Sequence, residues 1–305
     1  MVTTNLSTES SSSIRRYLQR RREEVDEELD RLLPGPEEFP ESVHRAIRHS
    51  VFAGGKRLRP ILCIEAARLF GGDEAPIQRR ACALEMIHTY SLIHDDLPAL
   101  DNDDLRRGKP TCHRAFGEAI AILAGDALLT LAFEVMAAPG PPADGIKLRA
   151  IQELTRAIGT RDGMVGGQVA DLEAEAGKVD AARLDYIHSS KTGALIRFAA
   201  RAGALYAGAE GDDLARVTRY GENIGLAFQI ADDLLDESSS TEELGKTAGK
   251  DHEQHKATYP AFYGIEGSRR RAQQLVENAC REIEPYGERA ETLRELAYYL
   301  IERTS

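Results

Sequence analysis

The amino-acid sequence predicts an all-α fold built as a single domain. Apolar residues recur at helical spacing in segment after segment, and glycine and proline close those segments. No stretch alternates with period two or gathers β-branched residues as a half-buried strand would. No long polar linker splits the 305 residues into halves, and no repeat of solenoid period is present.

The elements follow in order. Residues 1–13 are rich in Ser and Thr, lack an apolar run, and read as a disordered tail outside a domain of 14–305. The spacing predicts a helix over 14–33, stopped by Pro34-Gly35-Pro36, and a short one over 41–53 ending at Gly54-Gly55. A helix over 61–69 ends at Gly71-Gly72, and Asp73 is placed to cap the next. That next helix, 74–96, has hardly any polar residue between Ala81 and Ile93, so it reads as a core helix. Pro98 ends it and opens a charged loop that runs to Thr111. The pattern over 115–138 is apolar enough for a membrane, but Asp126 and Glu134 interrupt it, so it reads as a second buried helix. Further helical patterns cover 144–158, 161–176, 181–207, 212–236, 253–265, 268–284 and 287–302, and polar residues 238–251 read as a mobile connection.

Composition narrows the function classes. A hydrophobic share of 42% and a charged share of 29% describe a soluble globular protein. With a net charge of −11 and no long basic block, broad binding to nucleic acid or anionic membrane is excluded, and an anionic substrate needs local cations. The four cysteines are scattered without metal-ligand spacing, which fits reduced thiols in a cytoplasm.

The chemistry concentrates in two acidic clusters, each closing an apolar run. The first holds Asp95, Asp96, Asp101, Asp103 and Asp104; the second holds Asp232, Asp233 and Asp236. Crowded carboxylates raise one another's pKa, and a multivalent cation keeps them ionised. Each helical residue turns about 100°, so Asp232 and Asp236 point within about 40° of each other and Gln229 lies about 60° from Asp232. In the first cluster the break at Pro98 lets the chain return Asp101 toward Asp95, and His88 lies two turns below Asp95. Carboxylates without thiolates or clustered His suit a hard cation such as Mg²⁺, which shares its shell with substrate phosphates. One such cluster alone would read equally as a solvated helix end.

Basic residues accompany the acids: Lys56, Arg57 and Arg59 in GGKRLRP, then Arg106 and Arg107, then Lys246, Lys250 and Lys256. Guanidinium forks match phosphate oxygens, although a solvated basic face reads equally well for these groups taken alone. Lys191-Thr192-Gly193 interrupts an otherwise apolar helix. Gly245-Lys246-Thr247 looks like the end of a P-loop but lacks its upstream glycine and strand. The first cluster lacks the glycine and terminal glutamate of an EF-hand, and GxGxxG, HExxH and GxSxG are absent.

In order, GGKRLRP, SLIHDDLPALDNDDLRRGKPTCH, AGDALLTLAFE, GGQVADL, KTGALI, FQIADDLLD and LGKTAGKD closely resemble the trans-isoprenyl diphosphate synthase family of short-chain polyprenyl synthases, over residues 40–300. The resemblance implies a bundle of about ten or more core helices around a deep apolar cavity, a homodimer, and Mg²⁺, about three ions per site with Mn²⁺ as a substitute. It assigns Asp95, Asp96, Asp101, Asp232, Asp233 and Asp236 to metal ions against an allylic diphosphate. It assigns Arg106, Lys191, Lys246 and Lys256 to that diphosphate, and Lys56, Arg59, His88 and Arg107 to isopentenyl diphosphate. Thr192 and Gln229 would place oxygen dipoles near the allylic cation, and Gln168 and Asp171 would support Lys191 or the metal shell. The implied reaction joins isopentenyl diphosphate to dimethylallyl, geranyl or farnesyl diphosphate. Bulky Tyr90, placed by the resemblance at the cavity floor, favours farnesyl diphosphate, while LGKTAGKD also resembles geranylgeranyl synthases. A class I terpene cyclase has no reason to carry GGKRLRP with Arg106-Arg107, and a noncatalytic subunit of a heteromeric synthase has none to keep both acidic clusters.

Overall fold

The computed structural model describes residues 8–175, 179–238 and 258–302. The helices are α1 (Thr8–Leu32), α2 (Glu41–Val51), α3 (Leu58–Leu69), α4 (Glu74–Asp95), α5 (Cys112–Phe116), α6 (Glu118–Ala137), α7 (Asp144–Ile158), α8 (Met164–Glu175), α9 (Ala181–Ile187), α10 (Ala194–Tyr206), α11 (Gly211–Ser238), α12 (Tyr259–Ile283) and α13 (Glu291–Glu302). A π-helix, His188–Gly193, joins α9 to α10, and a 3₁₀ helix, Glu284–Ala290, joins α12 to α13. The strands among the described residues, β1 (Leu105–Arg106) and β2 (Lys109–Pro110), form one short antiparallel hairpin with Leu105 opposite Pro110. The all-α expectation holds.

The core is a curved run of neighbours, α6, α4, α3, α10, α11 and α12, each packed on the next. Their apolar residues merge into one cluster in which Leu62, Ile64, Met86, Ile87, Ile196, Ile224 and Val276 are buried. As expected, α4 has no polar face through its middle: Ala81 to Ile87 are all buried, Glu85 among them. α1 lies outside this run, and Arg21 fastens it by reaching Glu65 of α3 at 3.3 Å and Glu74 of α4 at 3.1 Å.

Several boundaries differ from the sequence expectation. α1 opens at Thr8, inside the stretch read as a tail, because hydroxylated residues are tolerated in a helix's opening turn. The expected single helix over 181–207 contains the π-helix, and the two expected helices around 265 form one run kinked at Gly264 (φ 69°). α6 is only partly enclosed. Ala121, Ala124, Leu128 and Ala132 face the core while Ile122 and Leu123 are exposed, and 39% of its apolar window is buried. It is the one helix among the described residues long and apolar enough to cross a membrane, and Asp126 and Glu134 lie on its exposed side. The expectation of a buried helix holds for one stripe only: alanine and glycine there let α4 approach closely, while the opposite stripe is exposed among the described residues.

α11 and α13 are locked by the buried Tyr220 hydroxyl, which donates to the Leu293 carbonyl at 2.8 Å. Tyr220→Phe removes that bond between the two helices, so urea denaturation is expected to show a loss of about 1 kcal/mol. An unchanged midpoint would mean that the bond contributes nothing net.

Candidate active site

The end of α4 curls back as Pro98 requires. The Asp101 amide donates to the Asp95 carbonyl at 2.8 Å and the Asp103 amide to the Asp96 carbonyl at 3.2 Å, with Asn102 left-handed at φ 49°. Asp101 is thereby returned beside Asp95, as the spacing predicts. Burial pushes the Asp95 carboxyl up to about 6, opposed by Lys191 and reinforced by Asp101. Asp96 is also raised by burial, against the pull of Arg106, whose Nε lies 2.7 and 2.9 Å from its two oxygens. Arg106, assigned to a diphosphate, is thus held by Asp96 in this conformation.

Arg107 and Gly108 form the two-residue turn of the hairpin, both at positive φ (53° and 75°) as a type I′ turn demands. The turn carries the Arg107 guanidinium to the Gly54 carbonyl, to which it donates. Gly55 makes room, since a Cβ there would stand 2.4 Å from Arg107 Nη1. Arg59, in the first turn of α3, is 8% exposed and its Nε has no hydrogen-bond partner. Burial lowers its pKa to about 10, with Glu85 and Asp232 opposing. His88 stands among these groups; burial, then Arg59 and Arg107, hold its imidazole well below the ordinary value and keep it neutral. Lys56 is exposed at the edge of the same loop.

Across the site, Lys191 sits in the π-helix, a wider turn of the kind frequent at functional sites. Its Nζ donates to Asp171 Oδ2 at 2.7 Å, and Gly167 lets α8 approach, because a Cβ there would lie 2.2 Å from the Lys191 amide. The neighbouring Gln168 is engaged less fully, its Oε1 buried without a partner. Thr192 is half-buried beside Lys191.

On α11, Asp232 and Asp236 are half-buried while Asp233 turns the other way. Asp233 accepts from His188 Nε2 at 2.8 Å, the Tyr259 amide at 3.0 Å and Gln229 Nε2 at 2.9 Å. Both of its oxygens are committed to the protein, so it fits an anchor between helices better than the metal-binding role implied by resemblance. The same bond fixes Gln229. His188, Asp185 and Tyr259, whose hydroxyl donates to Asp185, complete this junction, and no local spacing in the sequence announced them.

The two acidic motifs face a common region, since Asp95 feels Lys191 and Arg59 feels Asp232. Tyr90 is buried lower on α4, its ring edge-on to His94 with centroids 5.8 Å apart, and burial pushes its phenol up to about 12. Lys246, Lys250, Lys256 and the LGKTAGKD stretch lie outside the described residues. Among the described residues no three potential ligands converge tightly enough to hold a metal ion alone. The donor set still fits Mg²⁺, which takes one or two carboxylates and completes its shell with water and phosphate.

Comparison with known proteins agrees with this geometry. The family model described as Polyprenyl synthetase matches residues 40–296. A dimethylallyltranstransferase of Fischerella ambigua is 51% identical over 97% of this chain and 86% of its own. A geranylgeranyl diphosphate synthase of Cyanophora paradoxa is 49% identical over 95% of this chain and 96% of its own. The crystal structure of an FPP/GFPP synthase from Zymomonas mobilis superposes with a TM-score of 0.85 at 39% identity, covering 95% of this chain and 99% of that one. With two half-identical relatives and a solved fold spanning nearly its whole length, the chain belongs to the polyprenyl synthetase family and is a prenyltransferase acting by head-to-tail prenyl transfer.

Proposed function

We propose that the chain condenses isopentenyl diphosphate with an allylic diphosphate, in the presence of Mg²⁺, to give a short-chain (E)-prenyl diphosphate, most simply farnesyl diphosphate. The observation that carries this reading is the buried Arg59 Nε without a partner, within electrostatic reach of Asp232. A buried guanidinium with an unpartnered N–H is costly unless an anion binds there.

Asp95, Asp101, Asp232 and Asp236 would hold the ions, about three in number, with Asp96 positioned through Arg106. When bound, they supply Lewis-acid stabilisation of the departing diphosphate. Lys191, aimed by Asp171, and Arg106 neutralise the same group, and the allylic C–O bond breaks. Arg59, Lys56, Arg107 and neutral His88 hold isopentenyl diphosphate so that its double bond attacks the allylic carbon. Thr192 and Gln229 turn oxygen toward the positive charge, Gln229 by committing its amide nitrogen to Asp233. A C–C bond forms, and the released diphosphate takes the proton that restores the double bond.

Tyr90 on α4 supports a fifteen-carbon product. The twenty-carbon alternative is favoured by the likeness to the Cyanophora paradoxa geranylgeranyl diphosphate synthase. A homodimer is supported by exposed Ile122 and Leu123 on α6 and Leu148 on α7, and sedimentation velocity measures it. Free thiols at Cys63, Cys82, Cys112 and Cys280 support a reducing compartment such as the cytoplasm.

Chromatography of products from dimethylallyl, geranyl and farnesyl diphosphates with isopentenyl diphosphate and Mg²⁺ tests the reading directly. Asp95→Ala and Asp232→Ala are each expected to lower turnover by about 10²–10³; wild-type turnover in either sinks the metal assignment. Tyr90→Ala is expected to shift the product toward longer chains, and an unchanged product distribution removes Tyr90 from length control. Because the Asp95 pKa is raised on folding, its contribution to stability is present at low pH and is lost as pH rises through about 6. Urea midpoints of the metal-free protein between about pH 4 and 6 should show this loss, and Asp95→Asn should flatten it; equal slopes in both proteins would contradict it.

A further inference from the structure

Arg57 lies between two residues assigned to isopentenyl diphosphate, Lys56 and Arg59, yet it is only 1% exposed. It adopts a left-handed backbone (φ 52°), a conformation that costs a non-glycine residue and persists only where its surroundings over-determine it. Every arm of its guanidinium is spent inside the protein. Nε donates to Asp26 of α1 at 2.6 Å, Nη1 to Glu85 of α4 at 2.9 Å and to the Gly54 carbonyl at 3.0 Å, and Nη2 to the Val51 carbonyl at 2.7 Å.

Two of these acceptors connect Arg57 to the site. The Gly54 carbonyl is also the acceptor of Arg107, so two guanidiniums converge on one peptide group from opposite elements. Glu85 pairs with Arg57 and is the strongest charge partner of both Arg59 and Arg107. A shift of Arg57 would therefore move the Gly54-Gly55 backbone, the Arg107 seat and the counter-charge of Arg59 together.

We propose that Arg57, anchored by Asp26 and Glu85, is a positioning residue for isopentenyl diphosphate: it touches no substrate and sets the geometry of the cations that do. This rests on the assignment of Arg59 and its neighbours to that substrate. The charge alone is not enough, because a lysine cannot span four acceptors in a fixed fork.

The test is steady-state kinetics on the full-length protein with each substrate varied in turn. Arg57→Lys should raise KM for isopentenyl diphosphate about tenfold while kcat and KM for the allylic diphosphate stay within about twofold. Asp26→Asn, on a different helix, should move the same constant in the same direction by about threefold, and it carries the test if Arg57→Lys does not fold. Arg59→Ala is the control for the underlying assignment. If it leaves KM for isopentenyl diphosphate unchanged, that assignment fails and the proposal falls with it. If Arg59→Ala raises KM but folded Arg57→Lys and Asp26→Asn leave it unchanged, or weaken both substrates alike, Arg57 only stabilises the fold and the positioning role is overturned.

Discussion

Charge held out of water is the constraint on which the site depends. Asp95 and Arg59 are both displaced from their ordinary pKa values by burial, in opposite senses, and each has its neutral form favoured by the surroundings. Left in contact they would neutralise one another. α3 and α4 instead hold them in separate groups, Asp95 with Asp96, Asp101 and Lys191, and Arg59 with Glu85, His88 and Arg107. The site is therefore polarised, short of cations on one side and of anions on the other. On the proposed function, a metal-bound diphosphate and a free one would satisfy both deficits.

Holding this arrangement takes further residues bonded within the protein. Asp171 fixes Lys191, Asp233 gathers His188, Gln229 and the Tyr259 amide, and Arg57 ties the Gly54 loop to α1 and α4. Apart from the Gln229–Asp233 bond within α11, these bonds join different elements, so the site's geometry is set by helix packing rather than by local loops. The π-helix at His188–Gly193 belongs to the same set, inserting an extra residue per turn where Lys191 and Asp233's partner must both face inward.

Much of the fold was legible because buried helices write their burial into composition. The absence of polar residues through the middle of α4 predicted its place in the core, and Pro98 predicted the return of Asp101. α6 showed the limit of that reading. Its composition is as apolar as a core helix, yet Ile122 and Leu123 face outward, because hydropathy reports what a helix tolerates and not which neighbours arrive. Boundaries such as the π-helix were illegible for a related reason, since a widened turn leaves no periodic mark over so few residues.

The sequence by itself determined which chemical groups are present and their order: carboxylates at the ends of two apolar helices, guanidiniums in GGKRLRP and at Arg106-Arg107, and a polar pair at Lys191-Thr192. Those follow from local spacing, which a helix converts directly into faces. Only the tertiary structure decided which partners each group meets. Neighbours such as Asp232 and Asp233, or Arg57 and Arg59 two residues apart, look alike in sequence, but packing brings His188 and Tyr259 to Asp233 and Asp26 and Glu85 to Arg57. The physical reason is that a charge's role is set by the partners that desolvation forces upon it, and those partners come from segments tens of residues away.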